Sequence, residues 1–228
     1  MAVARFKDLC IDTGSDEALG RFWGAALGLE FEADGEAGTL KGPVPTQRVW
    51  MNVVPEPKSA KHRVHLDVHC ASVDDLVTLG ATVLEPQTPD RHWTVMADPE
   101  GGEFCAFVRE PDKLPEYRLY EFVVDCADPQ HLAEWWADIF GATLGGNADK
   151  GWWWLEHVPD LPFEGWSFVP VPEPKTVKNR IHWDVVADSV EALVAKGATP
   201  LTGPTEQASW SVLADPEGNE FCAFARPS

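Results

Sequence analysis

The sequence predicts an α+β protein made of four βαβββ units in tandem. Three observations carry that prediction. The chain repeats itself: PEPKSAKHRVHLDV at 55–68 returns as PEPKTVKNRIHWDV at 172–185, and DPEGGEFCAF at 98–107 returns as DPEGNEFCAF at 215–224, both at an offset of 117. Upstream, Phe22-Trp23 aligns with Trp135-Trp136 and Gly28 with Gly141 at an offset of 113, so copy two carries a four-residue insertion between Gly141 and Pro172. Within each copy, strand-like and helix-like patterns alternate in the same order.

In copy one, residues 6–12 read as a strand. Residues 15–27 read as a helix capped by Ser15, with Leu19, Phe22, Trp23, Ala26 and Leu27 on one apolar stripe. Extended segments follow. Residues 63–68 alternate as a strand, residues 72–79 form a short helix stopped by Gly80, and two more strands flank the turn Asp98-Pro99-Glu100-Gly101. That turn and its copy at 215–218 carry carboxylates without the ligand spacing of a calcium loop, so they read as tight turns. The polar, proline-flanked stretch REPDKLPEY at 109–117 reads as a linker, which divides the chain into copies at 1–112 and 117–228.

Composition narrows the function. With 18 Lys+Arg against 37 Asp+Glu the formal charge is −19, which repels nucleic-acid phosphates and anionic lipid and leaves small molecules as the expected partners. No apolar run approaches the ~18–20 residues of a membrane helix, and MAVARFKDLC lacks the apolar core of a signal peptide, so a cytoplasmic location is expected. Five cysteines, an odd number without close pairing, read as thiols. Phosphate loops, dinucleotide glycine patterns, Ser-His-Asp order and paired CxxC motifs do not occur, so nucleotide cofactors are not indicated.

The unit order, with FWGAALG at 22–28, RVHLDV at 63–68 and DPEGGEFC at 98–105, closely resembles the vicinal oxygen chelate superfamily in its glyoxalase-like and bleomycin-resistance-like branch. The resemblance covers both copies and implies two tandem glyoxalase-like domains whose sheets curl into cups, in a monomer or homodimer. It also implies metal positions, usually His, Glu, His and Glu, at the first and last strands of paired units. On this chain those positions fall on Asp8 and Glu121, on Asn52 and Val169, on His65 and His182, and on Cys105 and Cys222. One position in four keeps the usual type. The implied convergence is Asp8, His65 and Cys105 in copy one, and Glu121, His182 and Cys222 in copy two.

Strand parity adds a surface without help from the family. Arg63, His65 and Asp67 share one face of their strand and Val64, Leu66 and Val68 the other, as do Arg180, His182 and Asp184 against Ile181, Trp183 and Val185. The apolar face must meet the helices, so the polar face points into the cup. Three readings of that face stand: a salt-bridge lattice holding the cup, a Zn, Fe, Mn or Ni site with an open position, or a metal-free His65 or His182 acting as acid or base. Cys105 and Cys222 are read first as small core fillers. Eleven tryptophans divide three to eight between the copies. In the run 152–154, Trp152 and Trp154 share a face that can line a pocket, and Trp93 and Trp210 occupy equivalent rim positions. Flat rings bind planar or cationic organic molecules. The expected function is therefore a drug-binding or resistance-type cup protein, with Asn52, Arg63, Asp67, Trp93, Trp152, Trp154, Arg180, Asp184 and Trp210 as ligand contacts. The alternative is an isomerase or lyase using metal or the catalytic candidates His65 and His182. His62, His69, His92, His131 and His157 have no counterpart in the other copy and are given no role.

Overall fold

All four units have the expected strand, helix and three strands. The computed structural model describes residues 2–34, 37–206 and 208–226. The first unit holds β1 (Ala4–Thr13), α1 (Asp16–Leu27), β2 (Glu30–Asp34), β3 (Ala37–Lys41) and β4 (Arg48–Val53). The second holds β5 (Val64–Cys70), α2 (Val73–Thr78), β6 (Thr82–Glu85), β7 (Thr94–Ala97) and β8 (Glu103–Val108). After a single 3-10 turn at Pro111–Lys113 comes the third, with β9 (Leu119–Cys126), α3 (Pro129–Phe140), β10 (Thr143–Asn147), β11 (Trp152–Glu156) and β12 (Gly165–Pro170). The fourth holds β13 (Ile181–Ala187), α4 (Val190–Ala195), β14 (Thr199–Thr202), β15 (Ser211–Ala214) and β16 (Glu220–Ala225).

The units pair across the copies. One eight-stranded sheet has the order β14-β15-β16-β13-β1-β4-β3-β2 and the other β10-β11-β12-β9-β5-β8-β7-β6. Each sheet is thus joined at its centre by an antiparallel seam between copies, β1 on β13 and β5 on β9. Unit one shares a sheet with unit four, and unit two with unit three. Helices α1 and α3 each touch both sheets, and one apolar cluster runs from Trp23 and Phe104 through Phe122 to Trp136, Trp166 and Trp183. Among the described residues no helix is long and apolar enough to cross a membrane.

Local chemistry explains the helix boundaries. The expected stripe of α1 is fully buried, from Leu19 to Leu27. It stops at Gly28, which takes the left-handed conformation (φ 71°) and lies so close to the linker that a Cβ would sit 2.0 Å from the Glu116 carbonyl oxygen. Ser15 occupies the N-cap of α1, but its side chain makes no capping bond. Glu100 of the Asp-Pro-Glu-Gly turn does that work instead, accepting from Gly14 N at 2.9 Å, Ser15 N at 3.1 Å and the Thr13 hydroxyl at 2.6 Å. Its copy Glu217 accepts from Ala127 N and Asp128 N at 2.7 Å. The same turns hold the helices from the side, because Trp23 Nε1 donates to Asp98 and Trp136 Nε1 to Asp215, each at 3.3 Å. The motif is therefore a tight turn, as expected, and also a clamp between the two units of one copy. His62 has a packing role beside it: it fills the space that the Asn219 side chain takes in copy two, within 2.6 Å of where a Gly102 Cβ would lie.

Candidate functional site

The seams bring the polar strand faces together, but not in the sets implied by the resemblance. Asp8 lies opposite Asp184 and Cys10 opposite His182, in the sheet built on β1 and β13. Glu121 lies opposite Asp67 in the sheet built on β5 and β9, where Asp67 also neighbours Cys105. Asp8 is thus separated from His65 and Cys105, and Glu121 from His182 and Cys222. The physical reason is the exchange of units: each first strand pairs with the fifth strand of the other copy. Ligand atoms that do converge within 4.8 Å are those of Cys10, His182 and Asp184 in the first cup, and of His65, Asp67 and Cys105 in the second.

A β-bulge shapes the floor of each cup. The ladder β1–β13 slips between Phe6 and Asp8, and β5–β9 slips between Asp67 and Val68, leaving Lys7 and Tyr120 as the extra residues. A bulge turns two neighbouring side chains to one side of a sheet. In the first cup Lys7 and Asp8 consequently face the same space. The Lys7 ammonium bonds to Asp8, lies 3.5 Å from Asp184 and sits 4.3 Å from the centre of the Phe224 ring. Trp50 Nε1 donates to Asp8 at 3.1 Å, and the Cys10 thiol to Asp184 at 3.6 Å. Asn52 is half-buried opposite Asp12, and Trp210 lies against Phe224 at 5.3 Å.

The second cup has Tyr120 where the first has Lys7. Around it Phe107 makes an edge contact at 5.0 Å, His69 lies at 4.7 Å, and Trp93 stacks on Phe107 at 5.8 Å. Trp154 faces Ser167 across the β11–β12 ladder, so Trp152 and Trp154 line the cup while Trp153 packs on the core, as parity requires. Trp152 meets Trp93 at 6.2 Å. Those two residues belong to opposite arms of the sheet, so their contact closes the curl. On the floor, Ser167 donates to Glu121 at 3.0 Å, and burial followed by the charge of Asp67 raises the Glu121 carboxyl above its ordinary range.

The equivalent histidines differ. His65 has Nδ1 3.0 Å from Asp67 and Nε2 3.8 Å from Asp125, itself bonded to Lys61 at 2.8 Å. Burial alone would lower this imidazole, but Asp67 and Asp125 outweigh it and hold it at about 10. His182 lacks such a clamp. Burial lowers it to about 4, with Asp12 opposing and Lys178 reinforcing. The linkage signs are opposite. His65, raised above its unfolded 6.5, adds stability that is complete below 6.5 and lost as pH rises to about 10. His182, lowered, removes stability as pH falls from 6.5 through about 4. Imidazole NMR should find one ring still charged at about pH 8 and at least two, His62 and His182, still neutral at about pH 5.5; Gln substitutions assign them, and ordinary titrations of His65 and His182 would contradict this geometry. Burial, then neighbouring carboxylates, raise the Cys105 and Cys222 thiols. That suits packing groups better than nucleophiles.

Arg63 and Arg180 leave the cups. They reach across to the other copy, donating to the Glu173 and Glu56 carbonyl oxygens, and line a cleft of about 530 Å³ between the two PEPK loops. Its ammonium groups Lys61 and Lys178 are paired with Asp125 and Asp12. The residues missed by sequence reasoning are Lys7, Tyr120, Cys10, Ser167 and His69, which lies against Tyr120 and 3.2 Å from Glu164.

A glyoxalase-like domain model matches the chain twice, over 8–107 and 121–224. The chain belongs to that family. Glyoxalase I from Zea mays superposes on this glyoxalase-like chain with a TM-score of 0.66 at 12% identity, covering 96% of this chain and 92% of that one. A putative dioxygenase from Bacillus subtilis strain 168 superposes with a TM-score of 0.65 at 11% identity, covering 100% and 86%. The cppA protein of Streptococcus pneumoniae TIGR4 gives 0.51 at 8% identity, covering 99% of each. No curated protein matches the chain. At these identities the likeness shows the fold.

The donor sets of this glyoxalase-like chain do not fit a divalent metal as they stand. In the second cup the His65 nitrogens lie 3.0 Å from Asp67 and 3.8 Å from Asp125, and these carboxylates raise the imidazole to about 10, which favours the protonated ring over one with a free lone pair. In the first cup a lysine ammonium already bridges the carboxylates, and the adjoining thiol is a hydrogen-bond donor.

Proposed function

We propose that the second cup binds a planar organic cation. The observation that carries this reading is the floor pair Glu121 and Asp67, which face each other with His65 beside Asp67 and, among the described residues, no lysine bridging them, in a cup lined by Tyr120, Trp93 and Trp152, where Arg109 over Tyr120 and Lys150 over Trp152 already set cations on the ring faces. Ring faces attract cations by their quadrupole, worth about 0.5–2 kcal/mol per ring as water is excluded. Carboxylates below supply the charge that a neutral isostere cannot use. Entry requires the half-buried Trp93 and Trp152 to part, so binding should register in tryptophan emission.

The test is fluorescence titration of the whole chain with N-methylacridinium and with neutral acridine. The cation is expected to bind and acridine to bind more weakly. Trp152→Ala and Glu121→Gln should each weaken the cation about tenfold, on the order of 1.4 kcal/mol. Tyr120→Lys, which installs the first cup's charge, should abolish the preference for the cation. Equal binding of both probes, or no effect of these substitutions, would sink the proposal. The alternative, an isomerase or lyase, has less support: Lys7 and the clamp on His65 hold the places a metal needs, and His182 at about 4 is a weak base.

A further inference from the structure

The first cup differs from the second at one point with a chemical consequence. Its β-bulge adds a lysine where the second cup has a tyrosine. The Lys7 side chain, 28% exposed, is held by three partners at once: Asp8, Asp184 and the face of Phe224. Asp8 and Asp184 are themselves nearly buried, and each takes another donor, Trp50 and Cys10. Next to this ammonium lie the atoms of Cys10, His182 and Asp184 that converge within 4.8 Å. A divalent ion drawing on Asp184 would have to share that carboxylate with an ammonium 3.5 Å from its Oδ2, and would take from Lys7 one of its two nearly buried counter-charges.

We propose that Lys7 is the resident cation of the first cup: its ammonium stands at the Asp8–Asp184 pair in the place of a divalent metal and keeps the Cys10/His182/Asp184 cluster closed to metal. The two cups are then divided by charge. In the first a lysine bridges the two floor carboxylates, whereas in the second the cations sit elsewhere: His65 beside Asp67 and Asp125, Arg109 over Tyr120 and Lys150 over Trp152. This inference concerns the first cup alone and stands or falls independently of what the second cup binds.

Cobalt(II) titration tests it, because a cobalt–thiolate bond gives a near-ultraviolet charge-transfer band that oxygen ligands do not. The full chain is used with Cys105→Ser, which removes the second cup's thiol from the readout. With Lys7 present, no band should develop. Lys7→Met should gain a band that saturates at one cobalt per chain, and Cys10→Ser on top of it should remove the band. Lys7→Arg, which keeps a cation, should stay silent. Lys7→Gln gives the same readout as Lys7→Met if the latter does not fold, with near-ultraviolet circular dichroism as the check. A band in the chain that retains Lys7 overturns the proposal, and so does silence in a folded Lys7→Met or Lys7→Gln variant.

Discussion

Residues 1–112 and 117–228, produced as separate chains, are expected to fail as monomers and to recombine into a one-to-one complex. Both central seams, β1 on β13 and β5 on β9, join one copy to the other. An isolated copy keeps the clamps from Glu100 to residues 13–15 and from Trp23 to Asp98, but it exposes two unpaired strand edges whose outward faces carry Asp8, Asp67 and His65. The two seams are related by the repeat, since β9 and β5 are the counterparts of β1 and β13. Copy one alone can therefore satisfy both edges by pairing with itself, β1 on β5 of a second molecule. The expected record is a concentration-dependent dimer for each fragment in sedimentation, and a thermal midpoint for the mixture above either alone. Mixed complexes should dominate because Trp93–Trp152 and His69–Glu164 cross between copies: copy one paired with itself lacks Trp152 and Glu164, and copy two paired with itself has Val186 in place of His69. A fragment that is monomeric at low concentration and melts cooperatively would contradict the seam-dependent fold.

Trp136→Ala should be among the most destabilising single substitutions. The Trp136 ring is fully buried and packed by Trp135, Phe140, Trp166, Trp183 and Phe221, drawn from α3, β12, β13 and β16. It touches elements of both sheets, so neighbours on one side cannot close the void without leaving the other. Removal of a buried Trp costs about 3–5 kcal/mol, which for a chain of this length lowers the melting temperature by roughly 6–20 °C. Loss of its bond to Asp215 adds less, because Asn219 still donates to that carboxylate at 2.9 Å. Trp136→Phe, which keeps a ring, should recover part of the loss; calorimetry of the three proteins decides it, and a drop of only a degree or two would show that this cluster does not bear on stability.

The repeat and the strand periodicity made much of this legible beforehand. Leu66 and Val68 point to the core and His65 and Asp67 into a cup, and Trp152 and Trp154 face away from Trp153, because alternation in a strand leaves no choice. Pairing between copies was not legible, since a repeat offset is the same whether units pair within a copy or across it. Hence Asp8 was grouped with His65 rather than with Asp184. The bulges did leave a signal: core-facing Phe6, Leu9 and Ile11, like Leu119, Phe122 and Val124, are spaced three and then two residues apart, which an unbroken strand does not allow. Glu100 could be placed in a turn but not at a helix terminus, because that bond depends on how two units pack.

Lys7 and Tyr120 stand outside the pairing ladder, and this sets how freely they can vary. A residue in a ladder must suit its cross-strand partner, its neighbours on the same face and the register of the strand. An extra residue is free of the cross-strand partner and answers to the side chains in front of it, Asp8, Asp184 and Phe224 for Lys7, and Phe107 and His69 for Tyr120. Exchange at 7 or 120 can thus change the net charge of one cup by a unit without shifting the register of the strands, although at 7 the buried Asp8 and Asp184 must then find another counter-charge. In a duplicated chain such a position allows the two cups to drift apart in charge one substitution at a time. For engineering, a saturation library at these two sites is the smallest set of changes that would retune each cup separately.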